Sequence, residues 1–348
     1  MNLKNNSIFA ALLSVAVMFT ISVAQESSQT VSSINRVGTT AAQFLKIGAG
    51  ARPIGMGGAY TAVSEDILSV YWNPAGLSRI IGSGEAAFNH ANWLAETSYD
   101  FAAFSFNIGM IGSFGFHFIS FRTPEQPVRT VDLPDGTGQY WSANMVSLGL
   151  TYAKNLTDQF SIGFTGKYVQ EKIFNESAHG AAVDLGIFYK TPWKNLTLGA
   201  AIFNFGTKMH MDGSDLYNNV DPEAASGSVD AVAAKYRTEN FDMPLSLRFG
   251  IAWQAVKNEN LQIMTAVDGV QPNDNSQYLN SGLEIGLRRV IYLRGGYKAL
   301  FQENSEQGLT FGAGIRYDVV GTHLKFDFGW ADYGRLNNVQ FVSLGIKY

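Results

Sequence analysis

The feature that most constrains this chain is a period-two alternation of large apolar residues, repeated along most of its length. In "VQFVSLGIKY" (339–348), Val342, Leu344, Ile346 and Tyr348 fall on one face, and Phe341, Ser343, Gly345 and Lys347 on the other. "THLKFDFGW" (322–330) sends Leu324, Phe326, Phe328 and Trp330 one way and His323, Lys325, Asp327 and Gly329 the other. "LTFGAGIRY", "LNSGLEIGLR", "LSLRFGIAW" and "VDLGIFY" behave alike. A period of two is the signature of β-strands, whose successive side chains point to opposite faces. In a soluble barrel the apolar side chains pack inward. Here the apolar face is aromatic and recurs in nearly every segment, while the other face carries glycine and charge. That pattern belongs to a barrel whose outer wall meets lipid and whose lumen is polar.

About fourteen such segments can be read: 83–92, 97–107, 110–121, 140–154, 159–172, 179–190, 195–205, 243–256, 259–269, 277–288, 290–299, 308–318, 320–330 and 338–348. Each is about ten residues long, the length a tilted membrane strand requires. The connections alternate between a short set and a longer set, the latter at 122–139, 173–178, 206–242, 270–276, 299–307 and 331–337. An even count with this alternation puts both termini on the periplasmic side. The expected fold is therefore all-β: an antiparallel, monomeric outer-membrane barrel over 83–348.

Composition agrees. Charged residues make up 16% of the chain and aromatics 13%, and there are 36 glycines. Beyond residue 24 no apolar run is long enough for a membrane helix. Residues 8–21, "IFAALLSVAVMFTI", follow Lys4 and precede Ser22-Val23-Ala24. This predicts an export signal over 1–24, cleaved before Gln25. The chain has no cysteine, which excludes disulfides, thiolate nucleophiles and Cys-based zinc sites. Its net charge of −4, without a long basic run, argues against nucleic acid as a partner.

Residues 25–82 depart from the strand pattern and read as a separate plug segment, or hatch. Its core is "FLKIGAGARPIGMGGAYTAVSEDILSVYWNPAGLSRI" (44–80). Ser64 is a candidate N-cap with Glu65 and Asp66 in the first turn. Pro74 forces Asn73 out of the helical region, so Val70, Tyr71 and Trp72 end a short helix there. The glycines let backbone approach a barrel wall closely.

Phe44-Leu45-Lys46, Gly48-Ala49-Gly50-Ala51-Arg52, Gly55-Met56-Gly57-Gly58-Ala59, Glu65-Asp66 and Trp72-Asn73-Pro74-Ala75-Gly76 together resemble the N-terminus of the PorV/PorQ family, within the FadL-like outer-membrane barrels. The resemblance implies a fourteen-stranded barrel with an N-terminal hatch. In that hatch Gly55, Gly57, Gly58, Glu65, Asp66, Asn73, Pro74, Ala75 and Gly76 would form the motif. It implies one of two roles. The first is type IX protein secretion, with cargo bound at the outer loops 122–139 and 206–242 and secretion-system proteins as partners. The second is a FadL-like channel for hydrophobic small molecules such as long-chain fatty acids.

No enzymatic constellation is legible, and no cofactor is expected. A G-x-G-x-x-G beginning at Gly48 fails at Pro53, and there is no P-loop. The five histidines show no metal-binding spacing, and there is no G-x-S-x-G. His117 and His323 fall on lumen faces and are expected to be solvated there. Arg248, Glu284, Arg288, Arg316, Lys325 and Asp327 also fall on lumen faces and are expected to form an ion-pair network. In the longest connection, Met209, Met211, Leu216 and Tyr217 offer apolar contacts for a gate or a protein partner.

Overall fold

A computed structural model describes residues 36–193, 195–220, 232–319 and 321–348. The expected signal segment 1–24 and part of the 206–242 connection lie outside the described residues. Fourteen long strands form the wall. They are β1 (Gly84–Asn92), β2 (Ser98–Asn107), β3 (Ser113–Arg122), β4 (Ala143–Asn155), β5 (Phe160–Ile173), β6 (Glu176–Lys190) and β7 (Leu196–Gly206). The second half comprises β8 (Ser246–Lys257), β9 (Leu261–Pro272), β10 (Tyr278–Leu287), β11 (Ile291–Leu300), β12 (Leu309–Val319), β13 (Thr322–Asp332) and β14 (Asn338–Lys347). Every boundary lies within three residues of the sequence expectation. Each strand pairs antiparallel with its sequence neighbours, and β1 pairs with β14 from Glu85↔Lys347 to Asn92↔Gln340. The sheet is closed, so it has no exposed edge.

The alternation decides which face is which. Phe249 is 63% exposed, Leu344 55% and Phe311 52%, whereas the intervening Thr310, Ser343 and Glu284 are buried. An apolar wall of this extent is stable only against lipid. No helix among the described residues is long and apolar enough to cross a membrane.

One rim carries the short connections 108–112, 156–159, 191–195, 258–260, 288–290 and 320–321, and the other carries the longer ones. The expected long connection at 173–178 is instead a two-residue turn, with Phe174 at φ 52. Strands β5 and β6 simply run further than their apolar faces suggested.

The inward face is covered by residues 42–80. A plug segment was expected beside solvated lumen residues such as His117; the segment packs against the wall almost all the way round. Two short helices, α1 (Ala51–Gly55) and α2 (Ser69–Trp72), and 3-10 turns at Gln43–Lys46 and Pro74–Arg79 are its regular parts. The wall's inward glycines mark its path. A methyl at Gly329 would lie 2.8 Å from the Ala51 carbonyl oxygen, at Gly282 2.4 Å from that of Met56, and at Gly199 2.4 Å from that of Thr61. Further round, one at Gly186 would sit 2.2 Å from Asn73 Oδ1, and one at Gly163 2.2 Å from the Pro74 carbonyl carbon. Glycine is needed at these positions because atoms of the segment, mostly main chain, lie where a side chain would be.

Candidate functional site

The N-terminal segment and the lumen-facing residues that hold it form the candidate site. At the "WNPAG" turn, α2 ends because Asn73 is extended, with φ −169° and ψ 101°. Its side chain then accepts from the Ala75 N–H at 3.2 Å, capping the 3-10 turn that Pro74 opens. The same amide donates to the Thr61 carbonyl at 2.8 Å and to Ile187 of β6 at 2.9 Å. One buried side chain thus joins two parts of the segment to the wall. Gly76 is required because a methyl there would overlap the Ser64 carbonyl oxygen at 1.8 Å, and Ala75 is fully buried beside it.

Further N–H groups of the segment are met by wall side chains. Ser343 Oγ accepts from Ala51 at 2.8 Å, and Thr310 Oγ1 accepts from Gly57 at 2.9 Å. Asp268 on β9 accepts from Tyr60 at 2.9 Å and Thr61 at 2.8 Å. Gly57 and Gly58 have φ of 65° and 77°, and a methyl on Gly57 would reach the Ser281 carbonyl oxygen at 2.5 Å. Gly55 packs on Gly312, where a methyl would meet its Cα at 2.9 Å.

The charged centre is Arg52 of α1. It grips Glu284 of β10 through two bonds, Nε–Oε2 at 2.8 Å and Nη2–Oε1 at 2.7 Å. Its Nη1 reaches Asp66 at 2.9 Å and the Tyr60 hydroxyl at 2.8 Å, and that hydroxyl donates to Asp66 at 2.6 Å. Glu284 also accepts from Arg294 of β11 at 2.6 Å, Arg294 bonds Asp327 of β13 at 2.7 Å, and Arg316 of β12 pairs with Asp327 at 3.0 Å. Three guanidinium groups face three carboxylates. Bidentate, charge-assisted contacts are what a buried pair needs to offset its desolvation. Burial opposes charge on Asp66, but Arg52 overcomes it and holds that carboxyl below its ordinary value. Burial likewise opposes charge on Arg52, and the facing Glu284 raises the guanidinium above its ordinary value. Burial, and after it the neighbouring Asp66, pushes the Tyr60 phenol up, leaving it neutral.

Four of the six expected lumen charges enter such pairs: Glu284, Arg316 and Asp327 here, and Lys325 with Glu85 of β1. Arg248 instead stacks over the Trp72 and Phe203 rings at 5.1 and 4.7 Å. Arg288 is a correction. It lies in the 288–290 turn with φ 51°, exposed, because β10 ends at Leu287. Arg52 and Arg294 were missed as network members. Arg294 sits directly opposite Glu284 in the β10–β11 register, and Leu293 faces lipid, so the alternation carried the signal for its inward placement.

Ser64 does not cap a helix. Its hydroxyl donates to the Tyr60 carbonyl at 2.7 Å, and Asp66 instead accepts from the Leu68 N–H at 3.1 Å. Glu65 is exposed and pairs with Lys190 at the short-turn rim. His117 is buried against Phe101 rather than solvated, and His323 is exposed beside Asp318 at 2.6 Å. No group of three or more His, Cys, Asp or Glu able to hold a metal ion is present among the described residues.

At the long-connection rim, Met209 is buried and bridges Phe241, so it packs inward rather than offering a gate surface. Met211 is half-buried. Leu216 lines a groove of about 420 Å³ with Tyr236 and Arg237. Tyr217 is exposed under Lys235, 5.0 Å from ring centre to Nζ.

A closed, fourteen-stranded antiparallel barrel with an apolar outer wall defines an outer-membrane β-barrel protein, and its fold is FadL-like. The Pseudomonas putida toluene transporter TodX matches with a TM-score of 0.52 and 14% identity, covering 86% of this chain and 97% of that one. The Ralstonia pickettii toluene transporter TbuX matches at 0.53 and 14%, covering 86% and 97%. A Pseudomonas aeruginosa FadL homologue matches at 0.51 and 12%, covering 86% and 98%. At these identities the likeness is one of fold. No curated protein matches the chain. The profile of the type IX secretion system protein PorV matches residues 30–267, more than half of the sequence. The chain belongs to the PorV family.

Proposed function

We propose that this barrel serves type IX secretion by receiving exported cargo proteins at its long-connection rim, which faces the cell exterior, and that it does not conduct solutes through its lumen. The N-terminal segment is its hatch, both termini are periplasmic, and residues 1–24 are the removed export signal. The observation that carries this reading is the filled interior. Residues 42–80 pack against or bond to the wall from β3 to β14, and a cavity between them and the wall measures only about 20 Å³. Sites for small organic molecules run to several hundred Å³. The long-connection rim, in contrast, presents exposed Val131, Leu133, Tyr140, Tyr217 and Tyr236. Large, rigid aromatic side chains of this kind are favoured in protein interfaces.

The test is purification from outer membranes in mild detergent, with bound proteins and lipids identified together by mass spectrometry, for the full chain and for a variant with 128–138 replaced by a short Gly-Ser turn. Exported proteins should accompany the full chain and be depleted at least tenfold from the variant. A bound fatty acid or aromatic hydrocarbon with no protein partner would overturn the proposal in favour of uptake.

A further inference from the structure

The 20 Å³ cavity lies where the N-terminal segment meets β3, β5, β6, β7 and β8, and its lining is cationic. Lys46 and Tyr71 come from the segment; His117, Lys167, Asp184 and Arg248 come from the wall. Two of the cations are matched: Lys167 pairs with Asp184 at 2.7 Å and Lys46 with Asp274 at 2.7 Å. Tyr71 is committed as well, its hydroxyl donating to the Leu45 carbonyl at 2.7 Å. Arg248 differs. It is clamped between the Trp72 and Phe203 rings, and its Nε is buried without a hydrogen-bond partner. His117, only 1% exposed, lines the same cavity, and its Nδ1 is buried without a partner too. Buried N–H groups and charges are costly unless something accepts from them. Here a guanidinium N–H and an imidazole ring nitrogen, both without a partner, belong to two residues that line a single small space.

We infer that this cavity is a binding site for one small monovalent inorganic anion of chloride size, held by the Arg248 guanidinium and a ring N–H of His117. The volume fits. About 10–15 Å³ on this measure accommodates one water-sized occupant, and a halide is close to water in size, whereas a carboxylate-bearing metabolite does not fit. The charge fits as well: with Lys167 on Asp184 and Lys46 on Asp274, Arg248 is the lining cation that no ion pair among the described residues matches. The site spans the seam between segment and wall, so its occupancy would tighten the segment's seat. It is independent of cargo and extends the secretion reading without relying on it.

Bromide is the probe. Crystals of the full-length barrel grown in sodium bromide should give an anomalous peak beside Arg248, lost in Arg248→Met and weakened in His117→Phe. In parallel, the unfolding temperature of the wild-type barrel should rise by several degrees when sodium chloride replaces sodium gluconate at constant ionic strength, since an anion that binds only the folded state stabilises it by mass action. No peak in the cavity, or equal unfolding temperatures in the two salts, would overturn the assignment. A peak that survives Arg248→Met would mean an adventitious ion only and would overturn it as well. If Arg248→Met fails to assemble, the salt comparison on the wild-type chain decides alone.

Discussion

The wall holds the N-terminal segment differently on its two sides. Along β10–β13 the grip is ionic: Arg52 reaches across to Glu284, which is tied to Arg294, Asp327 and Arg316. Along β5–β7 it is mainly steric, apart from the Glu171 carboxylate accepting from the Ala42 N–H at 3.0 Å. Pro74 and Asn73 lie on Gly163 and Gly186, Thr61 lies on Gly199, and Asn73 supplies hydrogen bonds. On that arc the one ion pair to the segment among the described residues, Lys190–Glu65, is exposed. The contrast teaches that one seat responds to charge and acidity and the other to volume.

The largest effect is expected from Glu284→Ala. It leaves Arg52 and Arg294 buried with fewer partners, and removing one member of a buried pair costs about 3–5 kcal/mol. Thermal unfolding followed by heat-dependent gel mobility should register it, and a loss no larger than at an exposed site would erase the ionic side of the comparison. Gly163→Ala comes next. Its methyl would meet main chain 2.2 Å away, and overpacking of this kind costs roughly 1–3 kcal/mol. The signature should be displacement of residues 73–76, read as faster amide exchange there, with the Arg52 region unchanged.

Acid should separate the two sides more gently. Arg52 depresses the Asp66 carboxyl in the folded protein, so its contribution is fully present above the ordinary value of 3.8 and is lost as pH falls through the lower folded value. Amide exchange around 52–66 should therefore quicken below that pH before it does around 73–79, and Asp66→Asn should remove the difference. The smallest effect is expected from Lys190→Ala. An exposed pair contributes about 0–1 kcal/mol, so the unfolding temperature should barely move.

The wall was legible because lipid imposes one rule on every strand: each outward position must be apolar, so even a short segment such as "THLKFDFGW" declares both its period and its facing. The segment's turn at Asn73-Pro74 was legible for a local reason, the backbone restriction before proline. What lies between segment and wall was not. Glycines such as Gly186 and Gly282 read as lining of a wet lumen, but their neighbours are main-chain and side-chain atoms of Asn73 and Met56, more than a hundred residues away in sequence. Nothing in a strand's own residues announces such a partner. His117 was misread for the same reason. The charges were half legible: the alternation aimed Glu284 and Asp327 inward, but which arginines met them depended on register and on Arg52.

The bond from Ala51 to Ser343 bridges 292 positions of sequence. Closing so long a loop is entropically slow, and chains dominated by such distant contacts fold late and slowly. The segment that leaves the ribosome ahead of every strand therefore cannot finish folding until the last strand has arrived. Between those moments its apolar stretch, Ile54 to Ile80, has no wall to lie on. The barrel's assembly thus contains a waiting period for this segment, which ends when β14 docks beside β1.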